Sequence, residues 1–96
     1  MPAKTKVRMV RVWDGALVKA RREKAPSPAR PGESMNQNEV ALSLGISRAE
    51  VVRRWEVSYE DRLAGKTSSR PNGDDIGRLA TLLGCTEADF YRLVPV

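Results

Sequence analysis

The stretch 35–56, MNQNEVALSLGISRAEVVRRWE, concentrates side chains suited to holding an anion: Arg48, Arg53 and Arg54, interleaved with Glu50 and Glu56. A guanidinium offers a rigid, planar fork of donors that never loses its charge, so its chemistry is recognition rather than bond-making. The parts of a catalyst are scarce elsewhere. The chain has no histidine and one cysteine, Cys85, which removes the usual general base, the commonest zinc ligands and any internal disulfide. Cys85 follows Gly84 at the end of an apolar stretch and reads as a small buried hydrophobe. The carboxylate doublets Glu60-Asp61 and Asp74-Asp75 sit at helix ends, where acidic pairs are more often solvated or dipole partners than cation ligands. No enzyme, metal site, cofactor or small-molecule substrate is expected.

Ninety-six residues allow one domain, or one domain and a tail. Such a chain buries a modest core, better matched to a helical bundle than to a substrate cleft. With 41% hydrophobic and 30% charged residues it has the composition of a soluble globular protein. No apolar run approaches a membrane span and no signal-peptide core is present, so a cytoplasmic location is expected. The net charge of +5 is unevenly spread. Residues 1–31 hold nine Lys/Arg against Asp14 and Glu23, whereas residues 32–96 hold eight against ten acids. A front-loaded positive charge on a small domain points to a polyanionic partner.

These side chains need elements to position them. Residues 7–13, VRMVRVW, read two ways: the β-branched content favours a strand, while Met9, Trp13, Ala16, Leu17 and Ala20 also fall at helical spacing. A short extended segment followed by a helix capped at Asp14 and running to about Lys24 is the favoured reading. Residues 25–34, APSPARPGES, form a loop. Ser34-x-x-Gln37 and Asn36-x-x-Glu39 each fit a capping box for the next helix, which faces inward with Val40, Ala41 and Leu44 and ends at Gly45. Ser47-x-x-Glu50 opens another helix with Val51, Val52, Trp55 and Tyr59 on one side, a pattern that continues to Leu63 before Gly65. After the loop 65–73, Asn72 or Asp74 opens a helix carrying Ile76, Leu79, Ala80, Leu82 and Leu83, stopped by Gly84. Thr86-x-x-Asp89 caps a last helical turn or two with Phe90, Tyr91, Leu93 and Val94, ended by Pro95. The expected fold class is all-α, with five helices and a short N-terminal strand or arm.

Two short helices joined at a glycine cross steeply. Ala41 permits close approach, and Leu44, Ile46 and Val51 fill the wedge. The second helix then projects with Ser47, Arg48, Ala49, Glu50 and Arg53 exposed at its start, and such a helix fits the DNA major groove. Trp55, with Val51 at i−4 and Tyr59 at i+4, reads as a core anchor.

The order Q-x-E-V-A-x-x-L-G-I-S-R-x-x-V, carried by Gln37, Glu39, Val40, Ala41, Leu44, Gly45, Ile46, Ser47, Arg48 and Val51, resembles the helix-turn-helix of Cro/C1-type (XRE-type) DNA-binding domains of phage repressors and bacterial regulators. The run DDIGRLATLLGCTEADFYRLV resembles the closing helices of that lambda-repressor-like fold, and the resemblance spans about residues 14–94. Three departures stand out. Arg54 occupies a position the family keeps apolar, the loop before Gln37 is longer, and so is the segment from Glu56 to Asp74.

The resemblance implies that Gln37 meets a phosphate or braces a base-contacting side chain. It implies that Ser47 caps the recognition helix and touches the DNA backbone, and that Arg48 reaches a base edge. Ala49 lies on the same contact surface, Glu50 accepts from cytosine or serves only as a cap, and Arg53 and Arg54 bind phosphate or pair with Glu50 or Glu56. Residues 1–13 are a basic arm or short strand and residues 14–96 the helix-turn-helix domain. Lys4, Lys6 and Arg8 reach the duplex if residues 1–13 form an arm; alternatively Val7, Val10 and Val12 pack on the body or form a strand across a dimer. The resemblance implies a sequence-specific double-stranded DNA-binding regulator, more readily a repressor. It implies a homodimer on an inverted-repeat operator, in a bacterial cytoplasm or a phage-infected host cell. The rival readings are a protein-interaction module or antitoxin of the same fold, and a nonspecific nucleic-acid binder.

Overall fold

The computed structural model describes residues 8–96. In chain order the elements are β1 (Met9–Trp13), α1 (Gly15–Lys24), α2 (Gln37–Leu44), α3 (Ala49–Trp55), α4 (Tyr59–Leu63), α5 (Gly73–Leu83), a 3-10 turn (Glu87–Phe90) and β2 (Tyr91–Pro95). The all-α expectation is overturned: β1 and β2 form an antiparallel two-stranded sheet, with register from Met9↔Pro95 to Trp13↔Tyr91. The Thr86–Asp89 cap does form, Thr86 N–H donating to the Asp89 carboxylate at 2.9 Å, but it opens a single 3-10 turn. Tyr91 then goes extended (φ −112°, ψ 148°). The reason lies in the residues: Tyr91 and Val94 favour a pleated surface, and a helix started at Thr86 would have to stop at Pro95 after little more than two turns. Trp13 rewards the pairing by stacking edge-on against Tyr91 (5.7 Å) and tilted against Phe90 (5.6 Å).

The core gathers Val18 from α1, Val40 and Leu44 from α2, Val52 and Trp55 from α3 and Leu79 from α5, with Trp13 and Phe90 closing it from the sheet side. Of the apolar side chains Leu17, Val18 and Ala20 on α1, only Val18 is buried; Leu17 is half-buried and Ala20 exposed. Cys85 is half-buried against the core, and burial pushes its thiol up, away from a reactive thiolate.

A second difference concerns α3. It does not run on to Leu63 but ends at Trp55, and α4 starts afresh with Ser58 as its cap, accepting from Asp61 N–H at 3.2 Å. The proline-rich segment before α2 is ordered despite its composition. Ala25 carbonyl accepts from Met35 N–H (2.7 Å) and Glu33 carbonyl from Ser27 N–H (2.8 Å), so the loop folds back on itself. Among the described residues no helix is long and apolar enough to cross a membrane.

Candidate nucleic-acid interface

The turn between α2 and α3 is built on backbone geometry. Gly45 adopts φ 72°, ψ 24°, a left-handed conformation that side chains with a Cβ rarely enter. Ile46 N–H then reaches the Ala41 carbonyl at 2.8 Å, closing the end of α2. Arg78 of α5 donates to the Leu44 carbonyl at 2.9 Å, satisfying another carbonyl of that end. At its start, α2 carries the reciprocal box: Asn36 accepts from Glu39 N–H (2.8 Å) and Glu39 accepts from Asn36 N–H (3.0 Å). Glu39 also takes the Ser27 hydroxyl and an Arg30 guanidinium N–H at 2.8 Å. These donors hold the Glu39 carboxyl down to about 2, and they pin the proline-rich loop to α2.

The far end of α3 is clamped from three sides. Arg62 of α4 donates to the carbonyls of Arg54 (2.8 Å), Trp55 (3.1 Å) and Val57 (2.8 Å), a cationic cap on the helix C-terminus. Trp13 donates its indole N–H to the Trp55 carbonyl at 2.9 Å. Gly15 N–H reaches the Val57 carbonyl (3.1 Å), and Asp14, buried, accepts from both Ala16 N–H and Tyr59 N–H at 3.1 Å. Gly15 is a close-approach site, because a Cβ there would overlap the backbone of Trp55, Glu56 and Val57.

The exposed start of α3 differs from expectation in one respect. The helix begins at Ala49, and Arg48, not Ser47, is its N-cap residue, with no side-chain cap bond. Ser47 and Arg48 are both exposed, while Ala49 and Glu50 are half-buried. Arg53 and Arg54 are 67% and 53% exposed at the side chain, and both turn to Glu50, at 3.5 and 2.8 Å. Neither pairs with Glu56. Among the described residues Arg48 has no ion-pair partner. Gln37, Ala49, Glu50 and Arg53 line a shallow depression of about 280 Å³ between the starts of α2 and α3.

Gln37 is not free to swing. Its amide donates to Glu56 Oε1 at 3.0 Å, and Glu56 in turn receives Arg22 Nε (2.6 Å) and Nη2 (3.0 Å). Glu56 is 8% exposed, so this pair is largely desolvated, and its carboxylate raises the Arg22 guanidinium further above its usual range. Arg22 also donates to the Met35 carbonyl at 3.1 Å, so one side chain joins α1, the loop before α2 and the end of α3. Sequence reasoning did not single out Arg22 or Glu56 for this role. The available signal was a charged residue directly after Trp55, on the helix side that faces inward.

Arg8 is exposed, and its carbonyl accepts from Val96 N–H at 2.9 Å. It stands five residues of extended chain, about 17 Å, from Trp13, the strand residue that meets α3. Lys4 and Lys6 lie outside the described residues. The structure thus brings Gln37, Ala49, Glu50 and Arg53 together, sets Ser47 and Arg48 beside them at the exposed start of α3, places Arg54 in the last turn of that helix, and leaves Arg8 exposed just before β1. Comparison with protein-family models, curated proteins and solved structures finds no match for this chain.

Proposed function

We propose that this protein is a sequence-specific double-stranded DNA-binding transcriptional regulator of the Cro/C1 helix-turn-helix kind. It binds an inverted repeat as a homodimer and represses by occupying promoter DNA in a bacterial cytoplasm or phage-infected cell. The observation that carries this reading is the seating of α3. Its C-terminal end is fixed by Arg62, Trp13 and Gly15, while its N-terminal end stands clear with Ser47 and Arg48 exposed. A helix held this way can enter a major groove with its first-turn residues on base edges, and an unpaired arginine at that end suits guanine. Gln37, braced by Glu56, supports the floor of that surface, and Arg53 and Arg54 exchange Glu50 for phosphate on contact.

Selection from a random duplex pool tests the reading, followed by salt titrations on the selected and a scrambled duplex. A recovered palindrome bound more tightly than its scrambled form is the expected result. Equal binding with the same steep salt slope identifies a nonspecific binder instead. One observation favours a second reading, a protein-interaction module: Glu50 already neutralises much of the charge of Arg53 and Arg54, which lowers the positive potential of α3. Such a module retains neither duplex.

A further inference from the structure

α4 is a helix that its own side chains do not hold. Among the described residues it buries none of them, so its place depends on bonds made from outside. Asp14, between β1 and α1, supplies one: its carboxylate accepts from Tyr59 N–H at 3.1 Å. Arg92 of β2 supplies others. Its guanidinium reaches Glu60 at 2.6 Å and Asp14 at 3.5 Å, and lies 4.9 Å over the ring of Tyr59. α4 in turn holds the C-terminal end of α3 through Arg62. Residues 13–15 hold the same end directly, through the Trp13 indole on the Trp55 carbonyl and Gly15 N–H on the Val57 carbonyl. Both routes to α3 therefore start where β1 meets β2, at a junction that Asp14 N–H closes by donating to the Phe90 carbonyl at 3.0 Å.

The two-stranded ribbon itself is weakly built. Its inner end is seated, with Trp13 and Phe90 buried and Tyr91 and Arg92 half-buried, but farther out Met9, Val10, Leu93 and Pro95 are exposed. Closing it joins segments some eighty residues apart, an entropic cost that opening returns. The closed ribbon also buries Arg92 Nε with no hydrogen-bond partner among the described residues, a desolvation cost that opening relieves. Val40, Val52 and Leu79, fully buried, are carried by α2, α3 and α5 instead. We infer that β2 is a strap: its pairing with β1 fixes the seating of α3 through Asp14, Arg92 and α4, and it opens while the helical core stays folded. The start of α3 is exposed and its direction is set at the clamped end. Opening the strap therefore frees the direction in which Ser47 and Arg48 point without altering either residue. Such a strap operates whatever α3 meets.

Hydrogen exchange of the full chain, without DNA, tests the strap. Val96 N–H donates to the Arg8 carbonyl (2.9 Å) and Asp14 N–H to that of Phe90, so Val10↔Val94 is a bonded pair of the alternating ladder. Val94→Pro removes a ladder N–H three pairs along from Trp13↔Tyr91. Leu93→Pro removes one that faces away from β1 and serves as the control. In Val94→Pro the N–H groups of Gly15 and Tyr59 and the indole N–H of Trp13 are expected to exchange about 10-fold faster or more, with the amides of Val40 and Leu79 changed much less. Leu93→Pro should leave all five near wild type. Unchanged protection of the first three groups in Val94→Pro overturns the strap. So does an equal acceleration of all five, or a Val94→Pro chain that no longer folds, since ribbon and core are then one cooperative unit. The same loss in Leu93→Pro does likewise, because the effect then belongs to the proline and not to the pairing. Arg92→Ala keeps every ladder bond and is expected to speed exchange at Tyr59 N–H relative to Val40; no such difference also sinks the inference.

Discussion

Glu56 shows how one carboxylate can govern a surface it does not reach. It is nearly sealed from water and satisfied by Arg22 and Gln37, so truncating it strands a guanidinium in a poorly solvated place. Glu56→Leu is expected to cost about 3–5 kcal/mol of stability in urea unfolding. The double variant Arg22→Met/Glu56→Leu should recover most of that loss, because a buried ion pair is replaceable by apolar packing. If the double variant is as unstable as the single one, Arg22 acts through its bond to the Met35 carbonyl rather than through the pair. Arg48→Ala belongs to the same scale. It should weaken binding to a selected duplex by about 1–3 kcal/mol and relax preference at one base pair per half-site, with little change on scrambled DNA. Equal losses on both duplexes would make Arg48 a phosphate contact. Glu39 sets a pH limit. Its carboxyl is held to about 2 in the fold against a usual 4.5, so its contribution is fully present above pH 4.5 and is lost as pH falls toward 2. Glu60, beside Arg92, and Asp89, capping Thr86, are lowered in the same direction. Acid titration of stability should therefore be shallower for Glu39→Gln than for wild type across that window.

At the scale of elements, α3 is short, and its direction is set from outside. Gly15 is the tightest point of that seating. Since the atoms a Cβ would strike are backbone, they cannot rotate aside, and Gly15→Ala is expected to destabilise by about 3 kcal/mol or more in thermal melts. A melt unchanged from wild type would mean that α1 slides along α3 freely. None of this was legible in the sequence, because Gly15 resembles an ordinary weak spot at a helix start. What was legible is local: Asn36 with Glu39 announces the start of α2, and Gly45 and Gly84 mark left-handed ends. Ser47 with Glu50 has the same signature, yet Arg48 takes the cap position, since a local pattern does not decide which residue the preceding turn delivers to the helix. Strand β2 was read as helix for a related reason. Its helical cap is real, and the strand that overrides it lies some eighty residues earlier in the chain. The Arg22–Glu56 pair, 34 residues apart, was hidden in the same way. Spacing reveals which side chains share a face, not which distant face they meet.

For the molecule as a whole, part of the basic charge of the N-terminal third is engaged within the fold, among the described residues. Arg22 is consumed by Glu56, Arg30 by Glu33 and Glu39, and Arg21 lies 3.6 Å from Asp89. The charge available to a polyanion is therefore smaller than composition suggests, and Arg8, just before β1, and Arg11, on it, are among the exposed remainder. The sheet that carries Arg11 joins residues 9–13 to residues 91–95. Such a junction has a temporal meaning. During synthesis, β1 emerges first and must wait, unpaired, until the last strand has cleared the ribosome, whereas α2 and α3 can dock as soon as both are out. Closing so long a segment is entropically slow compared with the local helical contacts. The strand pair should form after the rate-limiting barrier, so Val94→Ala is expected to accelerate unfolding in stopped-flow while leaving the refolding rate nearly unchanged. A slowed refolding limb would place the sheet in the nucleus. Until it closes, the nascent chain presents a bare, apolar, β-branched ribbon, the kind of segment that chaperones shield.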